Sequence, residues 1–335
     1  MKAIKFFAIS AMAAAMITSC SSEDELSQSN YPSDNIVRVT AGVNNAKTRA
    51  EGAGTEMKNN FSLTIVNKNA PKYTYTDKVF SKSSGDWACS ETLLWQKSDA
   101  LVDIVAFAPA QTGKFNGVYA NGSIQPITYS VASDQSTSSD NNDLLYYYAP
   151  GFNPGTSLVN KKLSIQFNHA FCMIDIVVTL GTEFNKPKVL DDSPIVKVTL
   201  DGTKIAANVD VKNAATGSTT TTAASVVTAS ETATPTTITT TKGTFTKAAN
   251  EEANAKSCFS CIAIPQTVAA NTFKVSLMTA GKRYEWTSAD KVELKSGYKY
   301  TLKLSMGNDV VLLKGGSISA TPWTEITGLK PLETE

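Results

Sequence analysis

The most regular feature of the chain is alternation of apolar and polar positions with a period of two. Tyr298, Tyr300, Leu302 and Leu304 alternate with Lys299, Thr301 and Lys303, the signature of a strand with one face on a core and one in water. Near the other end, Val37, Val39, Ala41 and Val43 alternate with Arg38, Thr40 and Gly42, so a first strand opens at Ile36 and presents those four side chains as its core face. Further strand-like runs fall at residues 61–66, 73–80, 93–95, 102–107, 127–131 and 144–148, separated by turn clusters such as Lys82 to Asp86. The second half repeats the pattern. Leu163, Ile165 and Phe167 alternate, as do Cys172, Ile174, Ile176 and Val178, and more runs lie at 196–200, 205–211, 259–264, 273–278 and 283–286. No stretch carries a convincing helical period. The chain therefore predicts an all-β protein of two tandem Greek-key β-sandwich domains, residues 50–158 and 159–308, divided near Pro150, Gly151, Pro154 and Gly155.

Three stretches depart from that rhythm. Residues 44–55 are polar and glycine-containing, with Lys47, Thr48, Arg49 and Ala50 in the middle, and predict an exposed loop open to proteases. Residues 214–247 are dominated by Thr, Ser and Ala around Pro235, too poor in large apolar groups for a core, and predict a long exposed hairpin or loop. Residues 309–335 begin with Val310, Val311, Leu312 and Leu313 and continue through Ile318 to Trp323. They form an extended apolar segment that the second sandwich, already complete, has no place for.

The first twenty residues have Lys2 and Lys5, an apolar run from Phe6 to Ile17, and Thr18-Ser19 before Cys20, the layout of a cleavable secretory signal. The small residues directly before a cysteine resemble the lipobox of bacterial lipoproteins, which implies that Cys20 is acylated and becomes the new N-terminus. The cluster Ser21-Ser22-Glu23-Asp24-Glu25 resembles the surface-export signal of Bacteroidota lipoproteins, and residues 21–35 read as a polar tether.

Charge and chemistry narrow the function mostly by exclusion. With 31 basic and 30 acidic side chains there is no long-range field to attract a phosphate backbone, so nucleic acid is not an expected partner. The one histidine, His169, has no Gly-x-Ser-x-Gly elbow to serve and reads as a turn histidine bonded to backbone. Cys258 and Cys261 have thioredoxin-like spacing but lead into a strand rather than a helix, so they read as buried small hydrophobes, with a structural disulfide as the alternative. Cys89, Cys172, Cys258 and Cys261 together allow three connectivities. The acid pairs Asp191-Asp192 and Asp140 with Asp143 read as solvated loop charge, and Trp87, Trp95, Trp286 and Trp323 as core or interface. No catalytic residue, cofactor or metal site is predicted.

Several stretches in this order resemble the fimbrillins, the lipoprotein-derived subunits of the type V pili of Bacteroidia. They are Leu94-Trp95, the run from Val102 to Pro109, Asp143-Leu144-Leu145, the run from Leu163 to Ala170, Ile264-Pro265-Gln266, the run from Ser296 to Tyr300, and Pro322-Trp323. The resemblance implies transthyretin-like sandwiches, secretion as an outer-membrane lipoprotein, cleavage by an Arg- or Lys-directed surface protease, and polymerisation with other pilin subunits by strand exchange. On that pattern Thr48-Arg49-Ala50 looks like the cleavage site, and residues 21–49 are a tether plus a removable first strand. Removing that strand would leave open backbone edges and apolar side chains for a strand of another subunit to cover, and Val310, Val311, Leu312, Leu313, Ile318 and Trp323 are the expected donor residues. The resemblance also implies a location in a cell-surface fimbrium and an adhesion receptor on host or bacterial cells. The competing expectation is an uncleaved surface lipoprotein that binds glycan or host protein. The Thr-rich stretch after Ala214 is longer than a stalk subunit needs, so stalk, tip and accessory roles all stay open.

Overall fold

A computed structural model of the chain describes residues 30–44, 55–57, 59–83, 85–110, 118–137, 142–214, 225–307 and 314–322. Within them the fold is all-β, and its strands enclose two hydrophobic cores.

The smaller core lies inside a sheet that closes on itself. Strands Leu163–His169, Leu145–Phe152, Val102–Ala108, Phe61–Val66, Tyr75–Ser83, Asp86–Cys89 and Val39–Val43 follow one another by hydrogen bonding, and Val39–Val43 then pairs back onto Leu163–His169. A closed sheet has no free edges, provided each member stays in place. Phe61, Leu63, Ile65, Ile104, Ala106, Leu163, Ile165 and Phe167 point into this core.

The larger core is built chiefly from a five-stranded sheet, in the order Thr241–Thr246, Lys256–Ala263, Cys172–Leu180, Tyr298–Met306 and Lys314–Pro322. A four-stranded sheet made by Ile238–Thr239, Ile195–Asp201, Lys274–Thr279 and Arg283–Thr287 contributes to the same core. Cys172–Leu180 follows the period of two strictly: every odd position in it is half-buried and every even position, Cys172 to Leu180, is buried. It pairs in parallel with Tyr298–Met306, Ile174 opposite Tyr300 and Ile176 opposite Leu302. The two cores share a wall. In Val102–Ala108, Ile104 and Ala106 enter the smaller core while Val105 and Phe107 enter the larger, which is why that run is apolar almost throughout instead of alternating.

That shared wall overturns the division at 158/159. Leu163–His169, expected in the second sandwich, belongs to the closed sheet, because Leu163, Ile165 and Phe167 fill its core. Ile127–Ser130, expected in the first, pairs with Ala206–Val209, and its Tyr129 packs on Phe171 in the larger core. The chain changes sheet at Ala170–Phe171, both fully buried.

Other expectations are corrected too. Residues 93–95 are not a strand; they make a single bridge, Leu94 to Ile36. The described part of the Thr-rich stretch is not a bare loop. Val227–Ala229, Ile238–Thr239 and Thr241–Thr246 are strands, because Val227 and Ile238 are buried among the threonines and Thr240 Oγ1 donates to the Val198 carbonyl at 3.1 Å. Residues 314–322 are not surplus to the second unit. They form the edge strand of its five-stranded sheet, Ile318 opposite Leu302.

Candidate assembly site

The first strand is held by a mixture of strong and weak attachments. On one side Val39–Val43 lies parallel to Leu163–His169, from Val39 opposite Leu163 to Val43 opposite Phe167, and two further backbone bonds extend the ladder: Leu163 N–H to the Arg38 carbonyl and Asn44 N–H to the Phe167 carbonyl, both 2.7 Å. On the other side its contact with Asp86–Cys89 is one residue pair, Val39 with Trp87. Beyond the strand the chain is pinned again, with Val37 N–H bonded to the Leu93 carbonyl and Trp95 N–H to the Asn35 carbonyl. This strand alone closes the ring between Leu163–His169 and Asp86–Cys89.

Its inward face matches the alternation. Val37, Val39 and Val43 are buried and Ala41 is half-buried, all against the smaller core. Part of the floor of that core is aromatic: Phe61 stacks on Phe80 at 5.3 Å and meets Trp87 and Phe167 at 4.9 and 5.5 Å. Burial of three valines is worth roughly 5–9 kcal/mol before entropy is counted, comparable to the whole net stability of an ordinary domain. That burial is the main cost of taking the strand out of the sheet.

An exposed latch sits at the strand's start. Arg38 donates through both terminal guanidinium nitrogens to Asp34, at 2.9 and 2.6 Å, and the Ile36 N–H donates to the same carboxylate at 3.0 Å. The Arg38 hydrogen bonds, then the Ile36 N–H, hold the Asp34 carboxyl well below the usual carboxylate range.

The edge strand Lys314–Pro322 is attached differently. It pairs along its length with Tyr298–Met306, yet Ser319, Ala320 and Thr321 are exposed and Ile318 is the side chain that packs on the larger core. Of the residues predicted for the site, Val37, Val39, Ala41, Val43 and Ile318 have these positions. Cys20, Arg49, Ala50, Val310, Val311, Leu312, Leu313 and Trp323 lie outside the described residues. Reading the sequence missed the partner strand Leu163–His169 and the Leu93–Trp95 clamp. The first is some 120 residues away and parallel; the second has no strand period.

Elsewhere the chemistry differs from expectation at one point. His169 ends a strand rather than a turn, is buried, and bonds through Nδ1 to Asp143 Oδ2 at 2.7 Å. Asp143 is consequently not a solvated loop acid; its side chain is only 14% exposed. The thiols of Cys89, Cys172, Cys258 and Cys261 are unpaired, and burial pushes that of Cys261 up to about 12, far from a reactive thiolate. Among the described residues no group of three or more metal-ligating side chains comes together.

The described residues form a closed sheet completed by an N-terminal strand, beside a larger β-unit whose last strand lies at a sheet edge. Residues 48–323 match the fimbrillin-like family, and the chain belongs to it, a family of structural and adhesion proteins. No curated protein sequence matches. Solved structures share the fold at low identity. A candidate cell adhesion protein from Bacteroides ovatus has a TM-score of 0.56 at 15% identity, covering 85% of this chain and 95% of that one. A second such protein, from Bacteroides uniformis, has a TM-score of 0.53 at 15% identity, covering 88% and 99%. A fimbrial protein from Bacteroides vulgatus gives 0.53, 15%, 86% and 99%.

Proposed function

We propose that the chain is a subunit of a cell-surface fimbrium, built by proteolysis and strand exchange. It is exported as a lipoprotein acylated on Cys20 and anchored in the outer membrane. An Arg- or Lys-specific surface protease then cuts between Arg49 and Ala50, in the loop that follows the first strand. The freed strand is displaced from the smaller core, and a strand from the next subunit, drawn from residues 310–326, takes over its valine positions and its ladder on Leu163–His169. The filament so formed supports adhesion. One observation carries the reading: the first strand is at once the piece that closes the sheet and the piece that directly precedes the polar stretch containing Arg49 in the sequence. Losing it reopens two strand edges and uncovers apolar side chains, which an incoming strand can satisfy by β-addition.

The test is a Lys47→Ala, Arg49→Ala double variant expressed in the native host. The reading requires a folded, lipidated, monomeric surface protein without filaments. Normal filaments by electron microscopy would refute it and favour an uncleaved lipoprotein that acts as a binding module.

A further inference from the structure

The outward face of the first strand carries an arginine where any polar residue would satisfy the alternation. Arg38 sits between the buried Val37 and Val39, and Arg38, Arg49 and Arg283 are the arginines of the chain. Its side chain is 42% exposed, with the guanidinium held by Asp34, but the peptide bond that follows it is out of reach. The Arg38 carbonyl accepts from Leu163 N–H at 2.7 Å, Val37 N–H donates to the Leu93 carbonyl at 2.9 Å, and Val39 is paired with both Leu163 and Trp87. The valines flanking Arg38 are turned into the smaller core. A protease takes its substrate as an extended chain with several residues on each side of the bond, and here those residues are committed to the sheet.

Arg283 is shielded too. It begins the strand Arg283–Thr287, pairs with Met278, and is followed by Tyr284, which is 1% exposed in the larger core. Arg38 differs because the strand that holds it is the one that leaves in the proposed assembly.

We propose that Arg38 is a second processing site of the protease that cuts after Arg49, closed while the strand is in the sheet and opened by its displacement. This rests on the strand-exchange reading and on an arginine-directed enzyme, since residues 21–46 contain no lysine. Water adds across the Arg38–Val39 amide, leaving a carboxylate on Arg38 and an ammonium group on Val39. The cut divides the strand's attachments. The piece ending at Arg38 keeps Asn35, Ile36 and Val37, which engage Leu93, Leu94 and Trp95, while the piece from Val39 keeps Val39, Ala41, Val43 and the ladder on Leu163–His169. Joined, the halves bind as one bivalent ligand; separated, each loses about 10²- to 10⁴-fold in apparent affinity. Displacement is thereby made one-way, because the released strand no longer competes with the strand that has taken its place.

The test follows the N-terminal pieces by mass spectrometry while the full-length protein is digested with an arginine-directed protease, with and without a peptide of residues 310–326 as the displacing strand. Without the peptide, cutting after Arg38 should run about a hundredfold more slowly than cutting after Arg49, because it has to wait for the strand to open. With the peptide, pieces that end at Arg38 and begin at Val39 should appear as fast as the strand leaves, and Arg283 should stay uncut. In Arg38→Lys the released strand should stay whole and, once the protease is inhibited, should compete with the peptide for the sheet about a hundredfold more effectively than the wild-type pieces do. A wild-type strand that is released yet stays whole would overturn the proposal and leave strand exchange standing. Equal rates after Arg38 and Arg49 without the peptide would also overturn it, since displacement would not be what opens the bond. A strand that the peptide fails to release would count against strand exchange itself, and against the proposal with it.

Discussion

Val39 is the residue through which the first strand touches both Leu163–His169 and Asp86–Cys89, opposite Leu163 and Trp87, while Gly42 and Val43 pair with Thr55–Glu56, and Val39 is 3% exposed. Val39→Ala removes two buried methyl groups, about 1.6 kcal/mol at 0.8 per carbon, and the cavity left among ring faces raises the loss to about 2 kcal/mol. In the uncut protein this should appear as a lower denaturant midpoint with an unchanged slope. In protein cut in vitro with an arginine-directed protease, the same 2 kcal/mol weakens retention of the severed strand about 30-fold, since 1.4 kcal/mol is a factor of ten. Retention is read by size-exclusion chromatography and mass spectrometry of the cut sample, before and after adding a peptide of residues 310–326. Strand loss and peptide capture should both be enhanced in the variant. If Val39→Ala left the midpoint and the retention of the cut strand unchanged, the valine face would not be what holds the strand, and the account of how it is displaced would be wrong.

Three other outcomes are expected. Asp34→Asn should speed loss of the cut strand at pH 7. Because the native Asp34 pKa is depressed, the wild-type advantage is full above the ordinary carboxylate range and disappears as the pH falls through the native pKa, so the two proteins should converge in strong acid. Gly202 has a φ of +91°, and a Cβ there would sit 2.2 Å from the Thr272 carbonyl oxygen, so Gly202→Ala should cost more than about 2 kcal/mol in a thermal melt of the larger unit. Ile318→Ser should cost about 1 kcal/mol, seen as faster amide exchange confined to Lys314–Pro322, because Ile318 packs that strand on the core.

What could be read from the sequence is what the period of two controls. Val37, Val39 and Val43, and Cys172, Ile174, Ile176 and Val178, are buried on one face as their alternation requires. Pairing between distant strands is not encoded locally. Nothing in Leu163–His169 marks it as parallel to Val39–Val43, so a strand that looked like the start of the second unit closes the first. The same limit hid the shared wall, since Val102–Ala108 is apolar on both faces and its run does not say which core owns which side chain. The threonines around Val227 and Ile238 diluted the apolar signal of strands that tertiary contacts build, a case of burial by neighbours overriding local composition. His169 was misplaced because its partner Asp143 is 26 residues away and only the fold brings them to 2.7 Å.

The central claim is that the first strand is removed before the subunit joins a filament, and the N-terminal residue of the filament form tests it most directly. Surface filaments sheared from cells, separated from membrane and analysed by mass spectrometry, should yield this chain beginning at Ala50, with residues 21–49 absent. Filaments whose subunits still begin at an acylated Cys20 and carry Val37, Val39, Ala41 and Val43 would contradict the account.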